Sequence, residues 1–269
     1  MKAAASIKSL LVRSFGPPGA GAGLRVDGTA AARDNARAML GSLDSLFAAT
    51  VLFVGGHFLM SSAPVRSALC RFWGTGCFQT LYMLLAGGSL LWMVAAYADA
   101  PVRGVWQPPT ALAWVPLALM LPACLLATAG ISTRSVTAMG GERFATGPGD
   151  PAPGVLRITR HPVLWAVALW ALGHLAVAGD LASLLFFGGF LVLAFGGMWH
   201  IDQRRQHSLG AAWGPIALTT SVVPLHAILA GRTRFDLAGL GVLRPLTGLA
   251  LYAALLWLHP WLFGVPALP

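Results

Sequence analysis

The sequence predicts an all-α fold, a polytopic transmembrane bundle of about six spans. Three observations support this prediction: 57% of the 269 residues are apolar, only 10% are charged, and the mean hydropathy is +0.71. Soluble domains usually carry about 25% charged residues. The few charges lie between long apolar runs, as expected when most of the backbone is surrounded by lipid.

The predicted spans follow from the length of the apolar runs, because a helix needs about 20 apolar residues to cross a bilayer. The predicted spans are about 43–61, 78–98, 112–130, 162–178, 181–199 and 246–264. The last one ends in aromatic residues that are typical of a membrane interface. Residues 215–230 are short and interrupted by Pro215 and Pro224, so we predict an interfacial or re-entrant segment there. Gly179 in a left-handed conformation and Asp180 as a helix cap would join the fourth and fifth spans tightly.

The net charge of +9 indicates an orientation in the membrane and not a nucleic-acid partner. Alternate loops carry 11 and 1 basic residues, so the first, third and fifth loops are predicted to be cytoplasmic. The tail 1–38 carries six further Lys and Arg residues, which conflict with that orientation. The tail is either a targeting peptide or a product of start-codon choice. We favour a start at Met39, and therefore predict a dispensable tail and a single domain over 39–269.

Two histidines lie in predicted spans away from the interfacial His259, and an ionisable side chain there is costly and therefore a functional candidate. His57 follows Gly55 and Gly56 in the first span, and His174 follows Gly173 in the fourth. Neutral imidazoles on separate helices can ligate a heme iron, and glycine leaves room for a flat macrocycle. Histidines in a membrane can equally hydrogen-bond to a neighbouring helix, so their spacing leaves both interpretations open.

Several short stretches, taken in order, resemble the NnrU family of membrane proteins. They are Gly56-His57, Pro64-Val-Arg66, Arg157-Ile-Thr-Arg-His-Pro162, Leu164-Trp165, Trp170-Ala-Leu-Gly-His174, Gly179-Asp180, Asp202-Gln-Arg204-Arg205, Thr220-Ser-Val-Val-Pro224 and His259-Pro260. The resemblance covers about residues 43–266. It implies a multi-pass heme b protein of an energy-transducing membrane, either a bacterial inner membrane or a plastid-type membrane.

The resemblance also implies an activity and a set of site residues. Family members in plants isomerise a carotenoid of the 15-cis-zeta-carotene type, so a redox-dependent cis–trans isomerase with a hydrophobic polyene substrate and a lipid environment is expected. His57 and His174 would be both the metal ligands and the catalytic residues. His161 is the alternative ligand, because His174 lies about 18 Å into its span and His161 matches the depth of His57 better. Four arginines are expected to bind the heme propionates: Arg157, Arg160, Arg204 and Arg205.

Two positions depart from the plant pattern. The plant members carry a cysteine three residues before the second heme histidine, where this chain has Ala171. A further plant histidine falls near Tyr97, and no histidine stands there. These departures argue against a mechanism in which the iron exchanges one protein ligand for another, while the pair His57 and His174 is retained.

Two other functions are compatible with the sequence. The first is a non-catalytic heme or nitric-oxide-responsive accessory protein linked to denitrification. The second is a methyltransferase of the isoprenylcysteine type, which the Arg160-His161-Pro162 sequence at a span entrance also resembles. Asp202 is the only acid in the segment where those enzymes carry paired glutamates, which disfavours the methyltransferase interpretation.

Overall fold

A computed structural model describes residues 41–138, 140–147 and 149–268 of the chain. The predicted tail 1–38 lies outside these residues. Helices make up nearly all the regular structure of the described part. It holds no β-strand, and one isolated antiparallel bridge joins Gly104 to Asp180. The predicted all-α fold is confirmed.

The described residues form ten α-helices. In chain order they are α1 Leu43–Ser61, α2 Ala63–Asp99, α3 Trp114–Ser132, α4 Val155–Ile158, α5 Pro162–Val177, α6 Leu181–Leu209, α7 Trp213–Thr219, α8 His226–Leu229, α9 Leu237–Leu240 and α10 Leu243–Phe263. Short 3₁₀ helices occupy Thr110–Ala113, Gly141–Phe144 and Gly210–Ala212. Five helical segments, containing α1, α2, α3, α6 and α10, are long and apolar enough to cross a membrane. The 16-residue α5 is apolar but shorter. The chain is therefore a multi-pass membrane protein.

Helix α2 is much longer than the predicted span. It begins at Ala63, with Pro64 in the first turn where proline is tolerated, and it runs for 37 residues. Gly74 interrupts the helical geometry with a φ of 80° and a ψ of 163°. The apolar run that predicted the span is the part after this break. The part before it carries Arg66 and Arg71, which is why hydropathy alone did not find it.

The described residues divide into two compact units. Unit 1 contains residues 41–109, 178–189 and 256–268, and unit 2 contains residues 110–177 and 190–255. In unit 1, α1 packs on α2. The Trp92 indole N–H donates to the Ser45 hydroxyl at 3.1 Å, and Gly56 lies so close to Leu85 that an added Cβ would sit 3.3 Å from it.

The predicted tight hairpin between α5 and α6 is present, but one of its details differs from the prediction. Asp180 caps α6, because its carboxylate accepts from the Ser183 backbone N–H at 3.0 Å. Gly179 does not adopt the left-handed conformation that we expected. Glycine is required there for a different reason: an added Cβ would overlap the Trp106 carbonyl. That segment is held close because Val105 N–H donates to the Gly179 carbonyl at 2.7 Å.

In unit 2, α3 packs along α5 through two glycines. An added Cβ on Gly130 would lie 2.9 Å from Pro162, and one on Gly173 would lie 3.2 Å from Cα of Pro116. Helix α10 joins this pair through the hydroxyl of Tyr252, which donates to the Leu117 carbonyl at 3.1 Å. Small residues at helix contacts allow this close approach in a membrane protein, where dispersion forces replace the hydrophobic effect.

Residues 215–230 contain most of α7 and the single turn α8, which are separated by an irregular stretch at 220–225. Neither helix alone is long enough to cross a bilayer. Leu225 in this stretch has a φ of 65°, a value that non-glycine residues rarely adopt. The predicted interruption is therefore present around Pro224, whereas Pro215 lies within the first turn of α7.

Candidate functional site

Three of the stretches that resemble the NnrU family meet in unit 2. The Thr159 hydroxyl and the Trp165 indole N–H both donate to the carbonyl of Val222, at 2.7 and 2.8 Å. The backbone N–H of Arg160 donates to the Ser221 carbonyl at 3.0 Å. These bonds hold the segment before α5 against the irregular stretch after α7.

Arg160, His161 and Asp202 form an Arg-His-Asp cluster at this place. The Asp202 carboxylate accepts from Arg160 Nε–H and from His161 Nε2, both at 2.8 Å. The Arg160 guanidinium also donates to the Thr220 hydroxyl at 3.3 Å and lies 5.6 Å from the Trp213 ring centre. The side chains are little exposed: 14% for Arg160, 1% for His161 and 16% for Asp202. Each charge in the cluster therefore has an opposite charge or a polar partner beside it.

The Arg-His-Asp cluster also fixes the tautomer of His161. An ionised carboxylate can only accept hydrogen bonds, so Nε2 of His161 carries the hydrogen. A metal could then reach this ring only through Nδ1, unless it displaced Asp202. Asp202 stood out in the sequence as part of an NnrU-like stretch and as a methyltransferase-like acid, but its pairing with His161 was not predicted. A signal was present, because Asp202 and Asp180 are the two acids in the NnrU-like stretches of the sequence.

His57 and His174, unlike His161, each bond to a backbone carbonyl of their own helix. His57 lies in unit 1 and His174 in unit 2. Nδ1 of His57 lies 2.6 Å from the Phe53 carbonyl, and Nδ1 of His174 lies 2.8 Å from the Trp170 carbonyl. A carbonyl can only accept, so both Nδ1 atoms carry a hydrogen, and in a neutral ring Nε2 then carries the lone pair. This is the form in which histidine binds a metal, with its second N–H oriented by a backbone acceptor.

Taken by itself, each of these rings has the form that a heme iron takes as an axial ligand, a neutral imidazole nitrogen. The glycines beside the histidines were predicted to leave room for a macrocycle, but two of the three instead allow close packing of helices. Gly56 allows contact with Leu85, and Gly173 allows contact with Pro116, so both have packing roles. Only at Gly55 would an added Cβ meet open space.

Three of the four arginines that were predicted to bind the heme propionates already form ion pairs with carboxylates of the protein. Arg157 pairs with Asp150 at 2.7 Å, Arg160 with Asp202, and the fully buried Arg205 with Glu142 and the Ala138 carbonyl. A propionate would have to compete with these acceptors. The fourth arginine, Arg204, is half-buried on α6.

The fold and these side chains define a class of protein: a multi-pass helical membrane protein with two histidines on apolar helices, each bonded through Nδ1 to a backbone carbonyl, and a buried Arg-His-Asp cluster. The chain belongs to the NnrU family, because the profile of the NnrU protein family matches residues 45–267. The resemblance seen in the sequence is confirmed.

Two plant proteins show similarity to part of the chain. The chain is 32% identical over 81 residues to the chloroplastic 15-cis-zeta-carotene isomerase of Zea mays, covering 30% of this chain and 22% of that protein. It is 33% identical over 79 residues to the enzyme of the same name from Arabidopsis thaliana, covering 29% of this chain and 22% of that protein. The chain thus aligns with about a fifth of the length of these relatives. No solved structure matches the chain significantly.

Proposed function

We propose that this protein is a heme b-dependent cis–trans isomerase of a hydrophobic polyene of the 15-cis-zeta-carotene type. Family membership and the similarity to two plant isomerases support the substrate class. The structural observation that carries the proposal is the shared arrangement of His57 and His174, each with Nδ1–H bonded to the carbonyl four residues before it. We propose these two histidines as the axial ligands.

When bound, heme b would supply a redox-active iron. The backbone carbonyls of Phe53 and Trp170 orient the imidazoles and fix which ring nitrogen faces away from the helix backbone. Around His57, Phe53 packs edge-on at 4.6 Å and Tyr82 at 5.6 Å between ring centres, so rotation of the imidazole is restricted. A cis–trans isomerisation neither adds nor removes atoms, so the apolar residues around His57 need only exclude water and hold the polyene.

Competing functions draw less support from the geometry. A methyltransferase would use Asp202 to bind a cationic cofactor, but both oxygens of this carboxylate already accept from Arg160 and His161. The accessory role in denitrification would use the same histidines without a polyene substrate. An assay of polyene conversion distinguishes this accessory role from an isomerase, whereas a heme spectrum does not.

The test combines a spectrum with an activity assay. Protein from heme-replete cells should show a Soret band and a six-coordinate, low-spin spectrum, and cells that accumulate the 15-cis substrate should convert it when a reductant is present. His57→Ala and His174→Ala should each lose the low-spin spectrum and the conversion, whereas His259→Ala should keep both. The His259 ring bonds to the Val265 carbonyl near the end of α10 and serves as the matched control.

Three outcomes would contradict parts of this proposal. Absence of a Soret band in the wild-type protein would exclude heme. A low-spin spectrum that survives His174→Ala but not His161→Ala would transfer the ligand role to His161. A normal heme spectrum without conversion of the polyene would leave the accessory role.

A further inference from the structure

A cleft of about 590 Å³ opens beside the Arg-His-Asp cluster, entirely within unit 2. Its walls come from Arg160, from one face of α6 and from α7. Ligand pockets in proteins usually enclose about 300–1,000 Å³, so the cleft is large enough for a small molecule. The proposed isomerase activity uses neither this cleft nor its polar side chains.

The face of α6 in the cleft changes from apolar to polar along its length. Phe195, Trp199, Asp202 and Gln206 are spaced by three or four residues, so they lie on the same side of the helix. The first two precede the polar end of α6, which begins at His200. From Phe195 to Gln206 the helix rises about 16 Å. A ligand in this cleft therefore meets an apolar wall at one end and amide groups at the other.

Aromatic residues mark the boundary between these two ends. Trp199 is 67% exposed at the point where α6 becomes polar, and tryptophan is enriched where a membrane meets water. Trp213 lies across the cleft on α7, under the Arg160 guanidinium. Trp213 is buried, at 7% exposed, so the exposed ring of Trp199 is the one against which a flat ligand can pack.

The charge of the cleft favours a neutral ligand. The positive charge of Arg160 is matched by Asp202 at 2.8 Å, so little charge remains for an anion. Both oxygens of Asp202 are occupied, and it is the only carboxylate among the described residues that line the cleft. A cation would consequently find no free carboxylate there.

The unused polar atoms in the cleft include several hydrogen-bond donors. Among the described residues, Nη2 of Arg160 and the side-chain amides of Gln203 and Gln206 have no hydrogen-bond partner. These groups suit carbonyl oxygens, which only accept. A flat, neutral ring with carbonyl oxygens and an apolar tail combines all the properties that the cleft selects.

We propose that this cleft binds an isoprenoid quinone of the membrane. The ring carbonyls accept from Arg160, Gln203 and Gln206, and the isoprenoid tail leaves past Phe195 towards the lipid. The inference concerns binding alone and does not depend on the proposed isomerase function or on heme.

The test is a titration of the full-length protein, as purified in a phosphatidylcholine nanodisc, with the short-chain benzoquinone ubiquinone-1. Quenching of tryptophan fluorescence measures the affinity. The blocking variant is Gly214→Phe, because Gly214 lines the cleft and an added Cβ there meets no atom within 4 Å. Gly87→Phe is the control, since Gly87 on α2 has the same open surroundings away from the cleft.

We expect Gly214→Phe to weaken quinone binding at least tenfold and Gly87→Phe to leave it unchanged. Replacing both Gln203 and Gln206 by Leu should weaken it five- to tenfold, whereas Gln79→Leu, at an exposed position on α2, should not. Circular dichroism and size-exclusion profiles equal to those of wild type establish that each variant is folded. Wild-type affinity in folded Gly214→Phe would overturn the proposal. Competition by phosphatidylglycerol or by S-adenosylmethionine instead of by a second quinone would also overturn it, since the ligand would then be charged.

Discussion

The Arg-His-Asp cluster allows a quantitative prediction of stability. In Asp202→Ala, Arg160 and His161 each lose a bond to a carboxylate, and such bonds contribute about 1.5–3 kcal/mol each. The His161 side chain is 1% exposed and cannot replace the acceptor with water, whereas Arg160 at 14% keeps Thr220 and some access to solvent. We therefore expect a loss of about 3 kcal/mol, near the lower end of the cost of breaking a buried ion pair. Asp202→Asn should cost about 1 kcal/mol, because its amide can still accept from Arg160 and donate to the other tautomer of His161.

The assay is thermal unfolding in detergent, followed by circular dichroism. For chains of about 150–250 residues, 1 kcal/mol changes the Tm by about 2–4 °C, so Asp202→Ala should melt about 6–12 °C below wild type. Asp150→Ala is the matched control, since Asp150 and Arg157 form an ion pair whose side chains are 39% and 30% exposed. Exposed pairs contribute about 0–1 kcal/mol. If Asp202→Ala and Asp150→Ala melt within 2 °C of each other, the Arg-His-Asp cluster does not stabilise the fold.

Two further predictions concern packing and pH. Gly130→Ala should destabilise the protein by about 1–3 kcal/mol, because the new methyl group would lie 2.9 Å from Pro162 on α5. Gly87→Ala, with open space around it, should not, and thermal melts compare the two variants. The pKa of Asp236 is lowered, first by a hydrogen bond from the backbone N–H of Gly154 and then by one from Gly239. Its stabilising contribution is therefore present above the unfolded pKa of about 3.9 and is lost as the pH falls through the lower folded value. Melting curves between pH 6 and pH 3 should show this loss in wild type and a smaller one in Asp236→Asn; equal slopes would contradict the assignment.

Hydropathy predicted the helices wherever apolar length decides the structure. Predicted span 43–61 corresponds to α1, and the hairpin position between α5 and α6 was correct, because Asp180 is a local capping signal. Helix α6 runs ten residues beyond the predicted end at 199. Most of those residues are polar, and two of them, Asp202 and Arg205, form ion pairs with residues distant in the sequence. A count of apolar residues cannot detect such contacts.

The candidate site was predictable only in part, for a related reason. Arg160 and His161 stood out as a motif, but their partner Asp202 lies about 40 residues later in the chain. Only the packing of α6 beside the start of α5 brings these side chains together. The tautomers of His57 and His174, by contrast, follow from a carbonyl four residues earlier on the same helix, so that feature is local.

The Val222 carbonyl, which accepts two hydrogen bonds, has a consequence for the lipid around α5. At 16 residues, α5 is about 24 Å long, whereas the hydrocarbon core of a bilayer is about 30 Å thick. A short helix would ordinarily force the bilayer to thin or expose bare backbone to lipid. Here the chain just before α5 is already satisfied, since Arg160 N–H bonds to Ser221 and both lone pairs of the Val222 carbonyl are used by Thr159 and Trp165. Irregular backbone of this kind can enter the hydrocarbon level without water, so a bilayer of ordinary thickness can surround α5 undeformed.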